Sequence, residues 1–101
     1  MEVKLEVIVN GKNRDVARAA ASAFVEREDA IAVLGPTNSA MAVISQDIYA
    51  DAGILQLSSE ASSPLLTNKG YTHFFRTVAN DEVQGRALGQ AAVKHIGAKR
   101  I

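Results

Sequence analysis

The chain contains no cysteine, which excludes a disulfide framework and a thiolate metal site and leaves the redox compartment open. Tryptophan is also absent, and aromatic residues make up only 5% of the sequence. So little ring surface suits close packing of helices on a sheet better than the filling of a β-sandwich. Charge of one sign is missing too: eleven Lys and Arg balance eleven Asp and Glu. No long-range field is left to gather a polyanion, and nucleic acid is excluded as the expected partner, because its binding is driven largely by phosphate neutralisation. No apolar run approaches the roughly 20 residues that cross a bilayer. Met1-Glu2-Val3-Lys4 lacks the layout of a secretory leader, so for an exported protein the leader is not in this chain.

What is present is 48% hydrophobic sequence over 101 residues, rich in Ala, Val and Ile. That length fits one domain, residues 1–101, with a core of its own. Val3 to Val9 alternates apolar and charged residues and is broken by Asn10-Gly11, which predicts a strand. Asn13 can cap a helix from about Arg14 to Glu28 with Val16, Ala20, Ala23, Phe24 and Arg27 on its buried face. Ala30 to Leu34 is a continuous apolar run ended by Gly35-Pro36, as in a parallel strand covered on both faces. Ala40 to Asp51 carries Met41, Ile44, Ile48 and Ala52 at helical spacing, Gly53 stops it, and Ile54 to Leu57 reads as the next strand. Ser58 to Pro64 is a polar loop, and Pro64 opens a short helical turn through Thr67. Thr72 to Thr77 is a brief extended segment. Asn80 or Asp81 then caps a helix to about Ile96, with Val83, Ala87, Leu88 and Ala91 inward, and Lys99-Arg100-Ile101 begins another strand. This order implies an α/β fold with right-handed crossovers and a mostly parallel sheet flanked by helices.

Ligands in such sheets meet the carboxyl ends of the strands, where the loops 10–13, 35–39 and 58–63 gather. Gly35 to Ser39 joins a strand to a helix start, so its N–H groups and the Ser39 hydroxyl favour an anion such as a carboxylate. Asn38 or Ser39 capping its own helix accounts for the same residues equally well. The serine-rich stretch through Ser62 adds hydroxyls and carbonyls. Together the two loops offer what a small zwitterion needs: donors for a carboxylate and acceptors for an ammonium. A solvated Ser-rich turn is the plainer account of the second loop alone. Arg76 can pair with a carboxylate of the ligand, but Asp81 or Glu82 at the next helix start is its expected partner. His95 ends a helix, and His73 is a strand residue.

Enzyme chemistry finds no support, since there is no Gly-x-Ser-x-Gly elbow and neither histidine has a nucleophile context. Gly11-Lys12-Asn13 lacks the remaining residues of a phosphate loop. Two separated histidines without cysteine make no zinc site. No catalytic residue, metal or cofactor is expected.

The segments Val33-Leu34-Gly35-Pro36, Asp47-Ile48-Tyr49, Gly53-Ile54-Leu55, Ala61 to Thr67, Gly70-Tyr71 and Phe74-Phe75-Arg76-Thr77 resemble, in order and spacing, the leucine/isoleucine/valine-binding family of type I periplasmic substrate-binding proteins. The resemblance runs from about residue 14 to Ile101. It implies part of a flavodoxin-like first lobe that helps grip a small amino acid or related carboxylate, most often branched-chain, and delivers it to the membrane permease of an ABC importer. The implied location is periplasmic or extracellular. On the matching positions Ser39 donates to the ligand carboxylate, Ser62 contacts both charged ends, and Glu60 lends its backbone carbonyl to the ammonium. Asn38 and Ala61 complete the candidate ligand-binding set. Glu60 departs from the small residue usual there, and Asn10 to Arg14 departs from the acidic residues usual after the first of these strands. The resemblance also implies that a first strand and helix precede Met1, that this strand lies between Val3–Val9 and Ala30–Leu34, and that a second lobe follows Ile101. Without it, the two strands either pair directly or recruit strands from a second copy, giving a homo-oligomer or strand-swapped dimer. A receptor domain sensing amides or aromatic acids, and a minimised α/β scaffold without ligand function, stay open as alternatives.

Overall fold

The computed structural model describes residues 2–9, 11 and 13–100. Helix α1 spans Arg14–Val25, strand β1 Ala32–Leu34, α2 Ser39–Asp51, β2 Leu55–Ser58, α3 Leu65–Asn68, β3 Phe74–Arg76 and α4 Asp81–Ala91. A π-helical turn, Ala92–Ile96, continues α4 and closes at Gly97 in the left-handed region. The three strands form one parallel sheet in the order β1-β2-β3. This is the expected α/β arrangement, and each crossover runs through a helix.

Local chemistry explains where the helices start. The Asn13 side chain accepts from the N–H groups of Asp15 and Val16, Asn38 from those of Ala40 and Met41, and Asn80 from that of Val83. Each cap satisfies amides that the first turn leaves unpaired. Gly53, at φ +69°, turns the chain out of α2 and into β2.

Helix α2 is the centre of the core. Ala17 of α1 packs with Met41 and Ile44, Ala21 with Tyr49 and Ile54, and Ala42 with Ala61, Leu66 and Phe74. The small side chains of Ala17 and Ala21 let α1 lie close on α2, so the buried face of α1 is turned one residue from the expected one. Val16 and Ala23 face solvent, while Phe24 still packs against the Tyr49 cluster. Outside the sheet, the Asp47 carboxylate accepts from the Tyr71 hydroxyl at 2.7 Å and from Lys69 Nζ at 2.9 Å. These bonds tie the segment before β3 to α2 and hold the Asp47 carboxyl below the usual carboxylate range, the Tyr71 hydroxyl contributing most.

Register decides which face of the sheet is covered. Val33, Gln56 and Phe74 stand abreast and face the helices, whereas Leu34, Leu57 and Phe75 stand abreast on the other side. Leu34 is 72% exposed and Phe75 is also exposed. The expected burial of Ala30–Leu34 on both faces therefore fails, because among the described residues no helix lies over the second face. The same holds for α4, none of whose residues is buried. Val83, Ala87, Leu88 and Ala91, expected inward, are exposed.

The strand expected over Val3–Val9 does not form. Those residues make no ladder and are exposed. A cleft of about 750 Å³, lined by Leu5, Ile8, Ala20, Phe24, Val33 and Leu34 among others, separates them from β1. Extended backbone becomes a strand only when a neighbour takes its N–H and C=O groups, and here the cleft stands between the two segments. Arg27, expected on the buried face of α1, instead pairs with Glu6 and, at 3.0 Å, with Asp29. It thereby links the first segment to the end of α1 and keeps the Asp29 carboxyl low. Lys99 and Arg100 form no strand. Asn10, Lys12 and Ile101, which belong to the expected first loop and last strand, lie outside the described residues.

Candidate functional site

At the carboxyl edge of the sheet, Gly35 to Asn38 leads from β1 into α2, and Ser59 to Pro64 leads from β2 toward α3. Backbone pairing at the strand ends brings these loops side by side: the Gly35 N–H donates to the Leu57 carbonyl at 2.7 Å. Gly35 sits at φ +120°, a conformation that a side chain would strain.

Side chains then lock the loops together. Gln56, fully buried, donates from Nε2 to the Gly35 carbonyl at 3.2 Å. Ser58, also fully buried, donates from Oγ to the Pro36 carbonyl at 2.9 Å and accepts from the Ala61 N–H at 3.1 Å. Nearer the surface, the Ser63 N–H donates to Ser39 Oγ at 3.2 Å. The two loops singled out from sequence thus lie side by side, and the Ser39 hydroxyl stands in the seam between them.

The candidate residues play distinct parts. Asn38 spends its side-chain oxygen on the α2 cap. Ser39, half-buried, accepts through Oγ and keeps its own O–H proton free to donate. Among the described residues, the Ser39 N–H, the Ser62 N–H and the Ser62 Oγ have no hydrogen-bond partner. Ser62 is half-buried, and its carbonyl accepts from the Asp81 N–H at 2.9 Å. Ala61 is fully buried with its side chain in the core, so only its backbone could face a ligand. Glu60 is exposed, and among the described residues its side chain has no partner. Free donors at the start of α2, with the positive end of the helix dipole behind them, favour a small anion. The hydroxyl of Ser62 and the carbonyl of Glu60 can accept from a cation a few ångströms away.

Arg76 is not paired with Asp81 or Glu82 as expected. Its Nη1 donates to the Ser63 carbonyl at 2.8 Å and the Ala61 carbonyl at 3.3 Å, and its Nη2 donates to Thr67 Oγ1 at 2.8 Å. Sequence reasoning missed this role, as it missed those of Gln56 and Ser58. For all three the only available signal is their place at or near the carboxyl end of a strand. His73 lies beside β3, its carbonyl accepting from the Gln56 N–H and its Nε2 lying 3.2 Å from the Gln46 carbonyl. Among the described residues, no three of His, Cys, Asp and Glu group as metal ligands would, and no helix is long and apolar enough to cross a membrane.

The family model described as periplasmic binding protein matches residues 1–101. The chain belongs to this periplasmic binding protein family. An amino acid binding protein of Pseudomonas aeruginosa is 31% identical over 83 residues, covering 82% of this chain and 22% of the relative. The Leu/Ile/Val-binding protein homolog 1 of Brucella abortus is 35% identical over 69 residues, covering 68% of this chain and 19% of the relative. Among solved structures, the leucine binding protein LivK of Thermotoga maritima superposes with a TM-score of 0.79 at 27% identity, over 88% of this chain and 25% of that one. An ABC transporter substrate-binding protein of Desulfitobacterium hafniense in complex with Leu gives 0.80 at 32% identity, over 84% and 25%. The chain therefore spans about a fifth of the length of the curated relatives it matches. Membership in the family and the parallel α/β lobe agree with the expectation drawn from sequence.

Proposed function

We propose that this chain carries part of the grip of a substrate-binding protein for a small amino acid, branched-chain by preference, and that it works in the periplasm with the membrane permease of an ABC importer. It performs no chemistry on its ligand. The observation that carries the proposal is the contact between the loops after β1 and β2, where the Ser39 O–H and N–H at the start of α2 and the Ser62 N–H on the neighbouring loop are unengaged donors among the described residues. The ligand carboxylate takes these donors, and its ammonium takes the Ser62 hydroxyl and the Glu60 carbonyl. Asn38 and Ala61 serve indirectly, one by fixing the helix start and the other by seating the loop in the core. The names of the relatives, which include amino-acid and Leu/Ile/Val binding, support the ligand class.

Further polypeptide completes the binding unit on this proposal. A strand fills the cleft between residues 2–9 and β1, and a second lobe closes over the ligand and buries it. A second copy of the chain exchanging strands is the other source of such a strand. Sedimentation distinguishes the two, since a stable monomer at high concentration removes exchange.

The test is a titration of the chain with leucine, isoleucine, valine and lysine, followed by NMR and repeated on Ser39→Ala. A single lobe should bind weakly, with shifts at Ser39 and Ser62. Loss of the Ser39 bond to a carboxylate should weaken binding by roughly ten- to a hundredfold, as for other hydrogen bonds to charged groups. No response to any amino acid, from the chain or from a two-lobe protein containing it, would remove the assignment.

A further inference from the structure

We propose that Arg76 is the positioning residue of this site: its guanidinium holds the carbonyls on either side of Ser62 and so fixes the backbone that carries the Ser62 and Ser63 amides. The assignment rests on the amino-acid-binding proposal above and extends it to a residue that does not touch the ligand.

The argument begins with peptide geometry. In a trans peptide the N–H points opposite to the C=O, so whatever holds a carbonyl also aims the next residue's amide. Arg76 holds the Ala61 carbonyl at 3.3 Å, which sends the Ser62 N–H to the opposite side, where it has no partner among the described residues. The Asp81 N–H holds the Ser62 carbonyl at 2.9 Å. The Ser63 N–H then points the other way, and it reaches Ser39 Oγ at 3.2 Å. The Ser63 carbonyl precedes Pro64 and has no amide to aim, yet Arg76 holds it too, at 2.8 Å. Three successive carbonyls are thus each held by a donor, two by Arg76 and one by the Asp81 amide. Any one of them turned inward would set a negative dipole against a bound carboxylate.

Arginine is suited to this position because its planar fork offers five donors in fixed directions. Two nitrogens serve three acceptors here, with Thr67 Oγ1 at 2.8 Å fixing the tilt of the plane. In the sheet Arg76 stands opposite Ser58, whose own side chain joins the two loops from beneath. One side chain therefore sets where the loops meet, and the other sets which way the second loop's peptides face.

The experiment compares the wild-type chain with Arg76→Met, Arg76→Lys and Thr67→Val by amide hydrogen exchange without ligand and by leucine titration, both read by NMR. In Arg76→Met, exchange at the Ser63 and Asp81 amides should speed up about tenfold, and the leucine dissociation constant should rise by about the same factor. The Ile54 amide, bonded to the Tyr49 carbonyl at the far end of β2, should not change. Lysine should restore less than half of either effect, and Thr67→Val should give a smaller acceleration, about threefold. Unchanged exchange at Ser63 and Asp81 in a folded Arg76→Met overturns the assignment, and so does faster exchange with unaltered leucine affinity. If Arg76→Met does not fold, absence of acceleration in both Arg76→Lys and Thr67→Val overturns it instead. A wild-type chain that ignores leucine counts against the amino-acid proposal, and the exchange rates still decide whether Arg76 holds the loop.

Discussion

Replacing Ser58 by alanine removes a link that joins the loops after β1 and β2 from inside the molecule. The side chain is fully buried; its Oγ donates to the Pro36 carbonyl at 2.9 Å and accepts from the Ala61 N–H at 3.1 Å. Each bond contributes about 0.5–1.5 kcal/mol, and a buried donor left without a partner costs about 1–3 kcal/mol more. The Pro36 carbonyl belongs to a half-buried residue and can turn to water, whereas Ala61 is buried and its N–H has nowhere to go. The expected loss is therefore about 2–4 kcal/mol, a large share of the roughly 5–15 kcal/mol that holds an ordinary domain together. Urea unfolding followed by circular dichroism reads the change as a lower midpoint at constant slope. Ser59→Ala is the control. Ser59 is exposed, its side chain has no bond among the described residues, and the change should stay within about 0.5 kcal/mol. If Ser58→Ala is as silent as Ser59→Ala, the two loops are not held by this hydroxyl, and their contact loses its main support.

Asn38 separates capping from ligand contact. Asn38→Ala should lower stability by about 0.5–2 kcal/mol through loss of the bonds to the Ala40 and Met41 amides, read by thermal melting. Asn38→Asp should keep the cap and the melting temperature yet weaken leucine binding, because it places a negative charge beside a ligand carboxylate. The Asp47–Tyr71 bond gives a dependence on pH at both ends. The Asp47 carboxyl is lowered in the fold, so its contribution is present above the ordinary aspartate range and is lost as pH falls through the depressed value. The Tyr71 hydroxyl is raised, chiefly by its bond to Asp47, so its contribution is present below the ordinary tyrosine range and is lost as pH rises through the elevated value. Tyr71→Phe should reduce the alkaline loss, leaving the part due to the buried Tyr49, whose hydroxyl burial also raises, and should reduce the acid one, since Lys69 still pairs with Asp47. Urea midpoints at about pH 3, 7 and 10.5 check this, and an unchanged alkaline limb would refute it.

Features fixed by neighbours in sequence were legible. Asn13, Asn38 and Asn80 start the helices where a capping residue precedes a helical pattern, and Gly53 ends α2 in the conformation that favours glycine. Crossover topology then requires the loops after β1 and β2 to lie at one edge, which is why Ser39 and Ser63 could be expected near each other. What failed was burial. The Ala30–Leu34 run and the Val3–Val9 alternation state a need for apolar neighbours without naming them, and composition alone cannot report that a cleft or solvent stands there instead. The miss at Arg76 has a different cause. A guanidinium is equally at home with a nearby carboxylate and with distant carbonyls. The choice depends on where residues 61, 63 and 67 fall in space, and no spacing along the chain encodes that.

The uncovered surfaces bear on how far the site depends on the rest of the fold. Leu34 and Phe75 on the open sheet face, and Leu88 on the unpacked α4, all lie outside the bonds that join the two loops. Among the described residues, every hydrogen bond that joins the two loops or holds the second of them begins and ends within residues 35–81. None uses residues 2–9 or the body of α4. Covering the open sheet face would therefore add stability without redrawing the proposed ligand donors. On the proposed function, the grip is set within the two crossovers that end in β2 and β3, and a closing lobe would act by excluding water and completing the ligand's remaining contacts rather than by assembling it.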